Sequence, residues 1–157
     1  MTNEIPKLTL HSPEETAIFA RKIGAHIVRG DTLLLRGDIG AGKSFFARAL
    51  IQSLQDIPED VPSPTFTLVQ TYNTRSGEIW HADLYRLSDP NEADELGLTD
   101  AFPNAICLIE WPDRMGDSTP NDAITLIFTA ESDEDIRCIS FSGGSKDLRN
   151  RISKALQ

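Results

Sequence analysis

Eight residues constrain this chain more than any other stretch: Gly37-Asp38-Ile39-Gly40-Ala41-Gly42-Lys43-Ser44. They read G-x-x-x-x-G-K-S, the Walker A form of a phosphate-binding loop. Glycines let the backbone turn tightly and approach an anion without Cβ clashes. The N–H groups then point inward as an anion-binding nest. Lys43 brings positive charge to β- and γ-phosphates, and the Ser44 hydroxyl can ligate Mg²⁺. Thr32–Arg36 before the loop is an apolar run of strand length, and Phe45–Leu54 after it has apolar residues at helical spacing without Gly or Pro. Strand, glycine loop and helix are the context the motif requires, and the helix N-terminus adds its positive dipole end. Asp38, Gly40, Ala41, Gly42, Lys43, Ser44 and Phe45 are therefore candidate nucleotide contacts. The competing reading is a glycine-rich turn before a helix.

The remaining chain must supply a sheet for that loop. Its 157 residues suggest one domain, with 39% hydrophobic and 25% charged residues as in an ordinary soluble globule. No stretch approaches the roughly 20 apolar residues of a membrane span, and the N-terminus lacks the apolar core of a signal peptide. Cys107 and Cys138 are isolated, which reads as free thiols in a reducing, cytoplasmic compartment. A net charge of −9 argues against a broad nucleic-acid surface. If RNA is involved, a more basic partner makes most of the contacts.

Taken in order, Ser12 caps a helix with Pro13 at its first position and Glu15 completing a capping box. That helix is expected to run, with Ala17, Ala20, Ile23, Gly24 and Ile27 on one face, to a stop at Gly30. Residues 55–66 carry three prolines and form a loop, either a switch-like segment that senses a γ-phosphate or a plain connector. Residues 67–72 and 78–85 alternate as an antiparallel hairpin around the 73–77 turn. His81, Asp83 and Tyr85 then share a face with Ile79, either ordinary surface or the wall of a nucleotide cleft. A short acidic helix follows from Asn91 and ends at Gly97, and 98–104 is a connector, with or without a short turn. Residues 105–111 form a continuous apolar run, as for a parallel strand buried on both faces. Glu110 ends it, where a Walker B acid sits. Trp111 either walls the site or covers the core edge. Residues 112–120 read as a polar loop, 123–128 and 136–141 as two strands joined by a solvated acidic turn, and 145–156 as a basic amphipathic helix with Leu148, Ile152 and Leu156 along one side.

Four motifs occur together: the loop at 37–44, Ser63-Pro64-Thr65-Phe66-Thr67-Leu68-Val69, His81-Ala82-Asp83-Leu84-Tyr85-Arg86-Leu87 and Ile109-Glu110-Trp111-Pro112. In this order and spacing the chain resembles the TsaE (YjeE) family, the small bacterial ATPase of tRNA threonylcarbamoyladenosine biosynthesis. The resemblance covers about Ser12 to Phe141. Ser44 stands where the family usually has threonine, and Ile39 where it usually has leucine; either hydroxyl can ligate Mg²⁺.

The resemblance implies a P-loop NTPase-like α/β domain spanning 1–157, with a core of about 12–141 and a C-terminal helix of about 145–156. Its mixed parallel and antiparallel sheet would be flanked by helices. It implies ATP and Mg²⁺ as ligands, Ser44 and Glu110 at the metal, and Asp83 near the γ-phosphate as the residue positioning or activating water. Catalysis would rest on Asp83, Lys43 and Glu110. Thr65 would lie in the switch-like loop, and Ser12 and Arg137 near the base. The partners would be TsaD and TsaB, which install the threonylcarbamoyl group; tRNA would be met only through them, and hydrolysis would reset the complex between turnovers. The alternatives are a P-loop small-molecule kinase, disfavoured by scattered arginines and acidic charge, and a non-hydrolysing ATP sensor.

Overall fold

Two strands have almost nowhere to meet water. Ile106–Glu110 is buried throughout, as is Thr32–Leu35, and the two lie side by side inside a seven-stranded sheet. The computed structural model describes residues 4–38, 40–62, 64, 68–131 and 135–157. In chain order the elements are β1 (Leu8–Leu10), α1 (Pro13–Gly24), β2 (Thr32–Arg36), α2 (Lys43–Leu54), β3 (Val69–Thr74), β4 (Gly77–Asp83), α3 (Asn91–Glu95), α4 (Leu98–Ala101), β5 (Ile106–Glu110), β6 (Ile124–Ala130), β7 (Arg137–Gly143) and α5 (Lys146–Ala155). The sheet order is β1-β7-β6-β2-β5-β4-β3. β2 runs parallel to β5 and β6, and β4 parallel to β5. The β3–β4 and β6–β7 hairpins and the β1–β7 pair are antiparallel. This is the expected α/β class with a mixed sheet.

Alternation along the strands divides the core in two. Leu33, Leu35, Ile79, Ile106 and Leu108 pack with Phe19 and Ile23 of α1 and Phe46 and Leu50 of α2. Leu34, Ala82, Cys107 and Ile109 face the other way, onto Leu84, Leu98 and Met115. A Cβ on Gly24 would come within 3.2 Å of Ser53 Oγ and 3.3 Å of Leu50 Cγ, so a small residue there lets α1 lie close against α2.

Several boundaries differ from expectation. α1 ends at Gly24, well before Gly30, because Ala25 and His26 N–H groups bond back to Arg21 and Ile23 carbonyls and close the last turn. Ile27 is buried beyond the helix, so its apolar character continued the periodicity past the true end. Ala17 is only half-buried, and Thr16 and Phe19 take the inward positions instead. Gly30 still terminates the connection, at φ 97°, with its N–H on Ala105 O. Ser12 caps α1 as expected, its Oγ accepting from Glu15 N–H at 3.1 Å, but Glu15 Oε2 reaches back to His11 N–H rather than Ser12. β1 was not legible: three residues on a sheet edge carry too little pattern. The 112–120 stretch holds two short 3-10 turns within Pro112–Ser118, separated by non-helical backbone at Gly116 (φ 57°, ψ −127°), and its Pro112 and Met115 are buried. α4, four residues long, is the short turn allowed for in the 98–104 connector. The hairpin turns at Arg75-Ser76, and its second strand stops at Asp83, so Tyr85 lies beyond it.

α5 packs down through Leu148 and Ile152. Arg151 fixes it to the approach to β2: Nη1 donates to Asp31 Oδ2 at 2.6 Å and to His26 O at 2.8 Å, and Nη2 to Asp31 Oδ1 at 3.0 Å. Cys107 and Cys138 are buried free thiols. Among the described residues, no helix is long and apolar enough to cross a membrane.

Candidate functional site

The sheet aims its centre at one cleft. β2 delivers the chain to the glycine loop, and α2 starts at Lys43 with Gly42 left-handed at φ 104°. Gly37 and Gly40 also have positive φ, 147° and 82°. At Gly37 the demand is steric as well, since a Cβ would sit 2.5 Å from Phe128 O of β6. Asp38 is exposed, and its carbonyl closes the loop by accepting from Ala41 N–H at 3.0 Å. Ala41 is buried in the core.

Lys43 is 4% exposed. Its Nζ donates to Gly37 O at 2.6 Å and lies 3.7 Å from the centroid of the Trp111 ring. Burial lowers the Lys43 pKa, against the opposing pull of the Glu110, Asp83 and Asp38 carboxylates. Trp111 can reach over the lysine because its own backbone is left-handed, φ 58° and ψ 54°, immediately after β5 ends. Such a conformation costs a non-glycine residue of order 1–3 kcal/mol and concentrates at functional sites.

Glu110 closes the site from β5. Ser44 Oγ donates to Glu110 Oε1 at 2.8 Å and approaches Oε2 at 3.1 Å. Asp83 is the register partner of Glu110 across β4 and β5 and is 6% exposed. Asp83 Oδ1 accepts from Tyr85 N–H at 3.1 Å, which ties the carboxylate to the loop leaving β4. His81 Nε2 lies 2.7 Å from Glu110 Oε2.

These groups border a cleft of about 610 Å³, within the usual range for a small-molecule site. Gly40, Gly42, Lys43, Ser44, Phe45, Asp83, Glu110, Trp111 and Arg137 all face it. Arg137 Nη2 also donates to Gly40 O at 3.3 Å, bridging β7 to the loop. Ser12 remains at its helix cap; Pro13 and Thr16, one turn of α1, take the cleft position instead. Arg86, Tyr85 and Asp135 also line it. Sequence reasoning did not single out Thr16, Arg86 or Asp135 for the site; the position of Arg86 beside the Asp83 strand end was the one available signal. Thr65 lies outside the described residues, as do Ser63, Phe66 and Thr67 of the same motif.

The residues present suit a polyphosphate held with a divalent cation. Lys43 and the glycine loop offer donors to phosphate. Ser44 and Glu110 offer hard oxygens, the ligand type Mg²⁺ prefers. No cluster of three or more His, Cys, Asp or Glu suited to a metal occurs among the described residues.

Fold and loop together define a P-loop nucleotide-binding α/β protein. The TsaE family model, described as threonylcarbamoyl adenosine biosynthesis protein TsaE, matches residues 10–139. The chain therefore belongs to the TsaE family, and through it to threonylcarbamoyl adenosine biosynthesis. It is 39% identical over 129 residues to the tRNA threonylcarbamoyladenosine biosynthesis protein TsaE of Rickettsia bellii, covering 82% of this chain and 90% of that one. With the protein of the same description from Bacillus subtilis it shares 35% identity over 132 residues, 83% of this chain and 81% of that one. The crystal structure of Bacillus subtilis YdiB superposes with a TM-score of 0.80 at 28% identity, covering 96% of this chain and 93% of that one.

Proposed function

We propose that this chain binds ATP with Mg²⁺ in the cleft and hydrolyses it in the cytoplasm as part of the tRNA threonylcarbamoyladenosine machinery, acting with TsaD and TsaB. The observation that carries the reading is the meeting of Ser44 and Glu110 beside Lys43, Oγ to carboxylate at 2.8 Å. Lys43 exchanges its Gly37 carbonyl and its place on the Trp111 ring for the β- and γ-phosphates. Ser44 and Glu110 hold the cation, which when bound neutralises charge on the phosphate oxygens. A cation there would offset the repulsion between the carboxylates of Asp83 and Glu110 and a polyphosphate. Asp83, anchored by Tyr85 N–H, orients the attacking water and takes its proton. Arg137 of β7 and Pro13 and Thr16 at the head of α1, which Ser12 caps, border the end toward the base. Phe45 and Trp111 cover the cleft walls, and Thr65 belongs to the loop that senses the γ-phosphate. The chain does not form the carbamoyl bond itself. The acidic net charge of −9 supports contact with tRNA only through partners.

The test is ATP hydrolysis by the chain alone and with TsaD–TsaB, alongside Asp83→Ala. Expected are weak hydrolysis alone, strong stimulation by the partners, and loss of that stimulation in Asp83→Ala with nucleotide binding retained. No stimulation despite confirmed complex formation would refute the coupling. Normal partner-stimulated hydrolysis by Glu110→Ala would refute its place at the metal.

A further inference from the structure

His81 has a role that its sequence position alone did not disclose. It is 1% exposed, and Glu110 is 2% exposed. In the β4–β5 register His81 stands opposite Leu108, so Glu110, two residues on, projects from the same face as its diagonal neighbour. The two side chains meet at 2.7 Å, Nε2 to Oε2. The other ring nitrogen, Nδ1, is buried with no hydrogen-bond partner among the described residues. Most buried side-chain polar atoms have a hydrogen-bond partner. Here the one polar contact made is to the carboxylate.

We propose that His81 is a positioning residue: its Nε2–H holds Glu110 in the rotamer that presents the carboxylate to Ser44 and so sets the Mg²⁺ affinity of the site. This rests on Ser44 and Glu110 being the metal pair. Ser44 Oγ contacts both carboxylate oxygens, at 2.8 and 3.1 Å. His81 is a buried ring on β4 whose Nε2 holds Oε2 at 2.7 Å. Removing that donor leaves a buried carboxylate short of a hydrogen bond and free to turn away from the cleft. Outer partners of metal ligands typically change metal affinity by about 10–100-fold when lost.

The experiment measures binding of a fluorescent non-hydrolysable ATP analogue by the full chain, first with chelator and then across a Mg²⁺ titration, in wild type, His81→Leu and His81→Gln. Gln retains an N–H donor near the reach of Nε2, whereas Leu removes it. Thermal unfolding of each variant without nucleotide gives the structural control. The expected result is that His81→Leu binds the analogue without Mg²⁺ within about 2-fold of wild type, needs about 10–100-fold more Mg²⁺ for the metal-dependent gain, and that His81→Gln recovers most of the difference. An unchanged Mg²⁺ midpoint in folded His81→Leu overturns the proposal. So does a loss of metal-free binding and thermal stability that His81→Gln fails to restore, because a packing defect would produce that pattern. A wild type whose binding ignores Mg²⁺ altogether would instead overturn the metal reading of Ser44 and Glu110, and this inference with it.

Discussion

Two glycines of the phosphate loop should fail for different reasons when a methyl group is added. At Gly37 the new Cβ would lie 2.5 Å from Phe128 O and 3.2 Å from Phe128 Cβ, at φ 147°. The carbonyl belongs to β6, which is held between β2 and β7, so it cannot step aside as a flexible side chain would. Backbone strain at such a conformation costs about 1–3 kcal/mol. Displacing packed neighbours adds about 1–3 kcal/mol. Gly37→Ala should therefore lose about 2–6 kcal/mol, a large share of the roughly 5–15 kcal/mol that holds an ordinary domain together. Gly40 has φ 82°, and apart from its chain neighbours no described residue comes within 4 Å of its would-be Cβ. Gly40→Ala should lose only the left-handed penalty, about 1–2 kcal/mol. The assay is urea unfolding without nucleotide, so that phosphate contacts play no part. Equal midpoint shifts for the two variants, or a larger one for Gly40→Ala, would show that the β6 carbonyl does not press on the loop and would refute the reasoning.

Other outcomes follow from the same geometry. Lys43→Ala should abolish nucleotide binding, read by titration with the fluorescent analogue, while unfolding stays cooperative, since the lysine's present contacts are a single carbonyl and a ring face. Arg151→Met removes the bidentate grip on Asp31 and should cost about 1.5–3 kcal/mol in urea unfolding with nucleotide affinity unchanged; a change in affinity would mean that α5 is coupled to the cleft. Burial pushes the Cys107 thiol up to about 12 from an ordinary 9.0. The folded state then keeps its proton where the unfolded chain loses it, so the stability tied to this group is complete below pH 9 and declines as pH rises toward 12. In Cys138→Ser, maleimide labelling of Cys107 at pH 8 should accordingly proceed only as fast as the protein unfolds; fast labelling of the native protein would contradict the burial.

What the sequence alone determined is local. The phosphate loop, its following helix, the Ser12 cap and the β3–β4 hairpin all depend on neighbours a few residues apart, where propensity, period and turn chemistry act directly. The continuous apolar run ending in Glu110 likewise announced a buried parallel strand, because only burial on both faces tolerates such a run. The family motif order carried the fold class one step further. The tertiary structure alone decided which side chains meet. Ser44 and Glu110 are 66 residues apart and His81 and Glu110 are 29 apart, and their contacts follow from β5 lying between β2 and β4, which no spacing encodes. The left-handed backbone that folds Trp111 over Lys43, the early end of α1 and the three-residue β1 were hidden for a related reason. Each is set by contacts closing around a residue from distant parts of the chain, and local preference there is weak or points elsewhere.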